Sequence, residues 1–224
     1  MIDDIRLIEE LMEELTQAIE VHVDIYLIGG GAMMFLGSKG YTKDLDLVVS
    51  TEDEYLLVLK ALSGLGFIGV RPTTGMDKVD VSDTQTRGEY RIDLFKGKVC
   101  GELQLSESMK SRSFKRFESD TVSLHSCSAE DLFLLKSVTE REGDLNDGNS
   151  LIINSPGFDW DVFLEEVEVQ MGFGEPVWIT YTMERLSRMH IDDRRPDVFS
   201  RVSVLEKKYL EDWADRFERD SGAE

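Results

Sequence analysis

The sequence has few cysteines and no spacing among them that indicates a disulfide framework or a zinc site. Cys100 and Cys127 are the two cysteines of the 224 residues, and no Cys-x-x-Cys is present. We expect both to be buried thiols. The three histidines, at positions 22, 125 and 190, lie far apart in sequence, and no Gly-x-Ser-x-Gly occurs. Neither a histidine-centred metal pattern nor a serine hydrolase is therefore indicated.

The sequence also lacks long apolar runs and an excess of basic residues. No stretch of about eighteen apolar residues occurs, and the first residues carry acids where a secretory signal has a basic segment. We therefore expect a cytoplasmic protein with no membrane partner. Lys and Arg number 25 against 45 Asp and Glu, a formal net charge of −20. Such a charge disfavours broad affinity for nucleic acid or anionic membrane and is compatible with a basic partner.

Apolar periodicity predicts helices and strands that alternate in the first part of the chain. Apolar residues from Ile5 to Ile19 recur at intervals of three and four, as on one side of an amphipathic helix. The run VDIYLIG is typical of a buried strand that ends at Gly29, where a short helix follows. A second strand, DLDLVV, precedes Thr51 and Glu54, whose spacing is that of a capping box at the start of another helix.

The rest of the sequence completes an α+β pattern. FIGV, YRIDLF and KVCGELQL predict short strands that extend the same sheet, and TVSLHS predicts a further strand. Between them, SESMKSRSFKRFES predicts a short helix or an ordered loop. From Ser128 onward the periodicity is helical, and the last helix has an apolar face from Val202 to Phe217. We predict a mixed β-sheet flanked by helices in residues 1–125 and a helical region in residues 126–224 packed on that core.

Three consecutive glycines, Gly29, Gly30 and Gly31, stand between the first predicted strand and the short helix. They do not match a dinucleotide fingerprint, because Met34 occupies the position of the third glycine. No Lys-Ser or Lys-Thr follows a glycine as in a Walker A loop. Glycines at the start of a helix let backbone N–H groups approach an anion, so we interpret the three as an anion-binding turn.

Two aspartates, Asp44 and Asp46, are separated by one leucine within an apolar run. Successive side chains of a strand point to opposite faces, so both carboxylates lie on one face, where they repel each other unless a cation lies between them. Asp93 in YRIDLF is a third carboxylate flanked by apolar residues, and Asp80, in a more polar setting, is its competitor. Together the acids predict a Mg²⁺ site that binds phosphate oxygens. The alternative is an edge strand whose charged face is solvated.

The motifs GGGAMMFLG and TKDLDLVV, with Asp93 after them, resemble the signature of the DNA polymerase beta-like nucleotidyltransferase superfamily. Within it, they and SAEDLFLLKSVTEREGDLNDGNSLI are most similar to the nucleotidyltransferases that include the abortive-infection toxins of toxin–antitoxin systems. Lys136, Arg141, Asp144 and Asp147 match the Lys, the Arg and the Asp-x-x-Asp turn of those proteins one by one.

The resemblance, which covers residues 25–153, implies an enzyme that moves a nucleoside monophosphate from a nucleoside triphosphate to an acceptor. It implies that Asp44, Asp46 and Asp93 are catalytic and hold two Mg²⁺ ions. The residues implied in binding the triphosphate are Gly29, Gly30, Gly31, Thr42, Lys43, Lys136 and Arg141. A tRNA, a protein and a small hydroxyl compound are the open acceptors, and a toxin or antitoxin protein is the implied partner. Gly143 departs from the pattern, since those toxins often have a basic residue there.

Simpler explanations stay open for several of these residues. Lys136 or Arg141 could form an ion pair with nearby acids, and Asp144 with Asp147 could form a C-terminal turn. The basic cluster MKSRSFKRF could guide an RNA or nucleotide acceptor, or could be a solvated helix face paired with acids. The alternative to an enzyme is a catalytically silent nucleotidyltransferase-like module that binds a protein partner.

Overall fold

The computed structural model describes residues 1–70, 82–100, 103–139 and 141–221. The strands within these ranges are β1 (Val23–Ile28), β2 (Leu45–Val49), β3 (Ile68–Val70), β4 (Asp83–Arg87), β5 (Tyr90–Lys96), β6 (Lys98–Val99), β7 (Leu103–Gln104), β8 (Phe114–Glu118) and β9 (Val122–Ser126). The helices are α1 (Ile5–Ala18), α2 (Gly29–Phe35), α3 (Glu52–Gly64), α4 (Glu107–Arg112), α5 (Ala129–Ser137), α6 (Glu142–Asn154), α7 (Trp160–Gln170), α8 (Trp178–Arg188), α9 (Ile191–Arg194) and α10 (Pro196–Ser221).

Seven strands form one mixed sheet in the order β3-β4-β5-β2-β1-β9-β8. At its centre β1 runs antiparallel to β2 and parallel to β9, and β2 runs parallel to β5. Helices flank the sheet and a helical region follows it, so the predicted α+β fold class is confirmed. The division into a core at residues 1–125 and a helical region at residues 126–224 stays a prediction.

The two faces of the central strands differ in character because side chains alternate along each strand. Fully buried apolar side chains on one face are Val23, Ile25, Leu27, Leu45, Leu47, Ile92 and Leu94. The opposite face is mixed and carries Asp24, Asp46 and Asp93 together with the buried apolar residues Tyr26, Ile28, Val48 and Phe95. Burial of the apolar face specifies the register of the strands, since a slip of one residue would expose it, and this register places the acids on the second face.

Side-chain caps define where two of the early helices begin. The Asp4 side chain accepts a hydrogen bond from the backbone N–H of Arg6 at the start of α1. Thr51 and Glu54 form the predicted capping box of α3, in which each side chain accepts from the other residue's backbone N–H. Both helices then pack on the sheet, α1 against β9 and α3 against β5.

The prediction that KVCGELQL extends the main sheet is wrong. Strands β6 and β7 form a separate two-stranded sheet. Gln170 of α7 binds the edge of β7: its Oε1 accepts from the Gln104 N–H (3.0 Å), and its Nε2 donates to the Gln104 carbonyl (2.7 Å). A side-chain amide therefore satisfies backbone groups that a neighbouring strand would otherwise pair.

The segment SESMKSRSFKRFES also differs in part from its prediction. Helix α4 is the expected short helix, but it ends where Ser113 adopts an extended backbone, and the residues after it pair with β9 as the edge strand β8. Strand β4, with the polar sequence DTQTR, was likewise not indicated by apolar periodicity. Both strands pair with the strand that follows directly in sequence, β4 with β5 and β8 with β9. Their sequences are largely polar and lack the apolar alternation by which a half-buried strand is recognised.

The C-terminal region is helical as predicted, with a difference around the turn between α5 and α6. Helix α5 ends at Ser137, and Arg141 is the N-cap residue of α6, so Lys136 and Arg141 do not lie on one helix. Asp144 and Asp147 lie on α6 itself and not in a C-terminal turn. Because α5 ends before Arg141 and α6 begins after it, Lys136 and Arg141 can both approach the carboxylate of Asp144.

The buried apolar residues of α10 extend as far as Tyr209, and beyond it Arg216 forms an ion pair with Glu175. Val202 and Tyr209 are buried, whereas Trp213 is 50% and Phe217 62% exposed, so the predicted apolar face is only partly covered. None of the described helices is long and apolar enough to cross a membrane.

Candidate active site

Asp46 and Asp93 are direct neighbours on two parallel strands. They are register partners in β2 and β5. Asp44 lies in the bend just before β2, and its charge acts on the pKa of both Asp46 and Asp93. Asp93 is 3% exposed, and the other two are partly buried. The structure thus brings the three predicted carboxylates together. Asp80, the competitor of Asp93, lies outside the described residues.

Burial and mutual repulsion raise the proton affinity of these carboxyls. Burial, reinforced by the charges of Asp44 and Asp93, raises the pKa of Asp46 to about 7 against the opposing attraction of Lys136 and Arg141. Burial likewise raises the pKa of Asp93, although its hydrogen-bond donors act against the change. Ionised carboxylates placed in this way are destabilised, so a cation beside them would be bound favourably.

Hydrogen bonds hold the Asp93 carboxylate in place. Thr84 Oγ1 donates to Asp93 Oδ1 at 2.7 Å, and Arg91 Nη2 lies 3.4 Å from both carboxylate oxygens. These donors fix the orientation of the Asp93 carboxylate beside Asp46. Among the described residues, the group of three whose ligand atoms lie within 4.8 Å of one another is exposed and consists of His190, Asp192 and Asp193.

The glycine turn lies directly against the acids. A Cβ atom on Gly29 would overlap the Asp46 carboxylate, and a Cβ atom on Gly30 would overlap the Thr42 hydroxyl. Gly29 also has a φ of +61°, in the left-handed region that favours glycine. A Cβ atom on Gly31 would lie tightly against the side chains of Leu27 in β1 and Leu45 in β2. Close packing of the turn on the acid-bearing strand therefore requires these glycines, in addition to the role predicted for them.

Thr42 and Lys43, just ahead of the acids, differ in their surroundings. Thr42 is buried, its Oγ1 donates to the Asp44 carbonyl at 2.9 Å, and its backbone pairs with Ile2. Thr42 therefore holds the backbone from which the acids project. Lys43 is exposed, and within the described residues no carboxylate pairs with it.

The predicted cations Lys136 and Arg141 converge on Asp144. Lys136 Nζ lies 2.6 Å from Asp144 Oδ1, and Arg141 Nε donates to Asp144 Oδ2 at 2.9 Å. Lys136 Nζ also lies 3.1 Å from Asp147 Oδ2. The ion pairs considered as an alternative are thus formed, yet both cations also act on the pKa of Asp46 and so lie within electrostatic reach of the acids.

Lys39 is a residue of this site that the sequence patterns do not identify. Its Nζ donates to both carboxylate oxygens of Asp147, at 2.9 and 2.7 Å. The sequence does show that Lys39 lies in the loop between the glycine turn and Asp44. No motif marks that position, and the partner is more than a hundred residues away in sequence.

Both cysteines are free thiols, but only Cys127 is buried as expected. Cys100 is partly buried and has a φ of +51°. Burial raises the pKa of the Cys100 thiol to about 12, and the nearby charges include Asp46 and Lys136. Cys100 therefore lies beside the acids as a neutral thiol, which the sequence did not indicate.

Three of the four basic residues of the cluster MKSRSFKRF pair with acids, as the structural alternative predicts, whereas Arg116 donates to Ser126 and lies over the ring of Phe35. Arg112 of α4 forms ion pairs with Asp131 of α5 and with Glu166 of α7, and the side chains of both acids are fully buried. Lys115 of β8 pairs with Glu118 at 2.6 Å on the surface. The cluster spans a helix and a strand, so the single helix face considered for it is wrong.

No protein-family profile matches the sequence, and no curated protein sequence is significantly similar to it. Solved structures do match. The solution structure of the antibiotic-resistance factor ANT(2'')-Ia is 12% identical, with a TM-score of 0.44 over 97% of this chain and 97% of that chain. The crystal structure of ANT(2'')-Ia in complex with adenylyl-2''-tobramycin is 11% identical, with a TM-score of 0.43 over 92% of this chain and 98% of that chain. A likeness at this level assigns no activity to the present chain.

Proposed function

We propose that the protein is a Mg²⁺-dependent nucleotidyltransferase, which moves a nucleoside monophosphate from a nucleoside triphosphate to an acceptor hydroxyl. The observation that carries the proposal is the placement of Asp46 beside Asp93 on parallel strands, with Asp44 next to them and the glycine turn against Asp46. A carboxylate cluster beside a turn of backbone N–H groups suits a substrate that combines a divalent cation with phosphate.

The donor atoms of Asp44, Asp46 and Asp93 suit magnesium. All are carboxylate oxygens, the ligand type that Mg²⁺ prefers, and burial, which raises the pKa of Asp46 and of Asp93, makes a cation beside these carboxylates favourable. Bound Mg²⁺ would supply positive charge to the phosphate oxygens and to the leaving group. The resemblance of the motifs to the superfamily signature suggests two such ions.

The triphosphate would lie between the glycine turn and the cations of the helical region. No described side chain caps the first turn of α2, so the N–H groups of Gly29–Gly31 are available to phosphate oxygens. Thr42 and Lys43 adjoin this turn. Lys136 and Arg141 approach from the other side and would stabilise phosphate charge as fixed cations.

The proposed reaction is an in-line displacement at the α-phosphorus. The acceptor oxygen forms a bond to this phosphorus while the bond to the bridging oxygen of the β-phosphate breaks, and pyrophosphate leaves. Asp93, held by Thr84 and Arg91, would orient the acceptor hydroxyl and take its proton. The chain otherwise contributes positioning and electrostatic stabilisation.

Three classes of acceptor fit this chemistry: a small hydroxyl compound, a protein side chain and a tRNA end. The net charge of −20 disfavours a polyanionic acceptor, unless local basic groups guide it. We propose a place in a toxin–antitoxin system, with a toxin or antitoxin protein as partner, only on the resemblance of the motifs. A cytoplasmic location rests on the sequence alone.

Thermal melting with ATP, GTP, CTP and UTP, each with and without Mg²⁺, tests the triphosphate site. A ligand that binds the folded state raises the melting temperature, so one triphosphate should give a shift that requires Mg²⁺. The double variant Asp44→Asn with Asp46→Asn should lose this shift while staying folded. Asp215→Asn, an exposed aspartate on α10, is the matched control and should respond like the wild type.

Transfer itself is tested with the triphosphate selected in this way, labelled on the α-phosphate or on the γ-phosphate. Nucleotidyl transfer attaches the α-label, and not the γ-label, to an acceptor from a set of tRNA, basic proteins and small hydroxyl compounds. Attachment of the γ-label would indicate a kinase. A wild type that gives no shift with any triphosphate would favour the silent, partner-binding module.

A further inference from the structure

We infer that Lys39 is a further phosphate-binding residue of the triphosphate site and that Asp147 positions it for this contact. The inference rests on the proposed function and adds a cation that neither the motifs nor the resemblance mark. Lys39 lies between the two parts of the site, since its loop follows the glycine turn and precedes Asp44.

The backbone on both sides of Lys39 is anchored. The Ser38 N–H donates to the Met33 carbonyl at 2.9 Å, and the Ser38 carbonyl accepts from the Ser150 hydroxyl at 2.6 Å. On the other side, Thr42 is held through its backbone and its hydroxyl. The loop therefore presents the Lys39 side chain from a defined position, which lowers the entropic cost of using it as a ligand.

The side chain of Lys39 passes along the glycine turn and remains accessible. A Cβ atom on Gly30 would lie 3.7 Å from Lys39 Cδ, an ordinary contact distance. The side chain is 30% exposed, and Asp147 is 14% exposed. The ammonium group is thus close to the turn whose N–H groups would meet a phosphate, and solvent or a ligand can reach it.

The charges around Lys39 leave a surplus that suits a polyanion. Asp147 is shared by Lys39 and Lys136, and Asp144 is shared by Lys136 and Arg141. Three cations therefore meet two carboxylates, within a chain of net charge −20. One carboxylate balances the charge of only one of the two lysines that contact Asp147, Lys39 of the loop and Lys136 of α5. Positive charge is therefore left beside the glycine turn for phosphate oxygens.

Equilibrium titration with the triphosphate that shifts the wild type, and with the corresponding monophosphate, tests this role. Lys39→Gln should weaken triphosphate binding about ten-fold, as expected for loss of one charge-assisted hydrogen bond, and leave monophosphate binding nearly unchanged. Lys39→Arg should restore most of the affinity because it keeps the charge. Lys60→Gln, on the exposed side of α3, is the control and should bind like the wild type.

Asp147→Asn separates the phosphate role from a purely structural one. Loss of the ion pair lowers the melting temperature of both Lys39→Gln and Asp147→Asn without ligand. Lys39→Gln should lose its preference for triphosphate over monophosphate, whereas Asp147→Asn, which keeps the ammonium charge but not its position, should lose only part of that preference. Equal preference in Lys39→Gln and the wild type would overturn the inference and leave the proposed function intact. A wild type that binds no triphosphate with Mg²⁺ would overturn both.

Discussion

Gly29 combines two requirements, a left-handed backbone and the absence of a Cβ atom where Asp46 packs. Its φ is +61°, and a side chain on it would occupy the position of the Asp46 carboxylate. Gly37 shares only the first requirement, because its φ is +69° and the space around it is open. A comparison of Gly29 with Gly37 therefore separates the cost of backbone strain from the cost of displacing the Asp46 carboxylate.

Gly29→Ala is expected to cost more stability than Gly37→Ala. The strained backbone costs about 1–2 kcal/mol in each variant, and displacement of Asp46 adds at least about 1 kcal/mol in the first. Chemical denaturation measures both free energies of unfolding. Equal losses would contradict the close packing of the glycine turn on Asp46.

The raised pKa of Asp46 should make stability depend on pH. The pKa is about 7 in the folded protein against an ordinary value of 3.8. The protonated Asp46 carboxyl therefore makes its full contribution to the free energy of unfolding below about pH 4, and this contribution is lost as pH rises through about 7. Asp46→Asn stays neutral throughout, so without divalent metal it should be more stable than the wild type at about pH 8, by about 1–3 kcal/mol.

Denaturation curves of the two proteins across this pH range check the expectation. The gain of Asp46→Asn should shrink toward about pH 4, where the wild-type carboxyl is protonated in the folded and in the unfolded state. Asp215→Asn, on an exposed part of α10, should show no comparable change. If the stability gained by Asp46→Asn does not change with pH, the gain does not come from the raised pKa of Asp46.

At the scale of elements, a buried ion cluster joins α4, α5 and α7. Arg112 contacts the fully buried carboxylates of Asp131 and Glu166. Burial raises the pKa of Asp131 to about 6 even though Arg112 opposes the change. The cluster connects α4, which follows the separate β6–β7 sheet, to the helices α5 and α7. Removal of Arg112 would leave the two buried acids without their cation.

Arg112→Met is expected to lower the free energy of unfolding by about 3–5 kcal/mol near neutral pH, because it leaves buried charges unpaired. Lys115→Met removes an exposed pair with Glu118 and should cost under about 1 kcal/mol. The loss in Arg112→Met should shrink as pH falls toward about 6, since Arg112 lowers the pKa of Asp131 and without it that carboxyl is protonated at a higher pH than in the wild type. Similar losses in the two variants would contradict the burial of the cluster.

At the scale of the whole molecule, the net charge of −20 implies repulsion between acidic groups on the surface. Monovalent salt screens this repulsion over distances beyond about 10 Å. Raising KCl from about 0.05 to about 0.5 M, without divalent cations, should therefore raise the melting temperature by a few degrees. A fall in the melting temperature would show that screening of the favourable ion pairs outweighs this repulsion.

Local patterns determined many of the elements and part of the candidate site. Thr51 and Glu54 form their capping box because both partners lie within one helical turn. Asp44 and Asp46 lie within electrostatic reach of each other because they are two residues apart at the start of β2. These features depend on neighbours in sequence, so the sequence by itself was sufficient to predict them.

The tertiary structure decided which distant elements meet. The register that sets Asp46 beside Asp93, the binding of Lys39 by Asp147 and the binding of the β7 edge by Gln170 all join residues far apart in the chain. Each of them forms only when elements distant in sequence pack on one another. Periodicity reports which side of an element is apolar, but the partner of that side is selected only when the whole core packs.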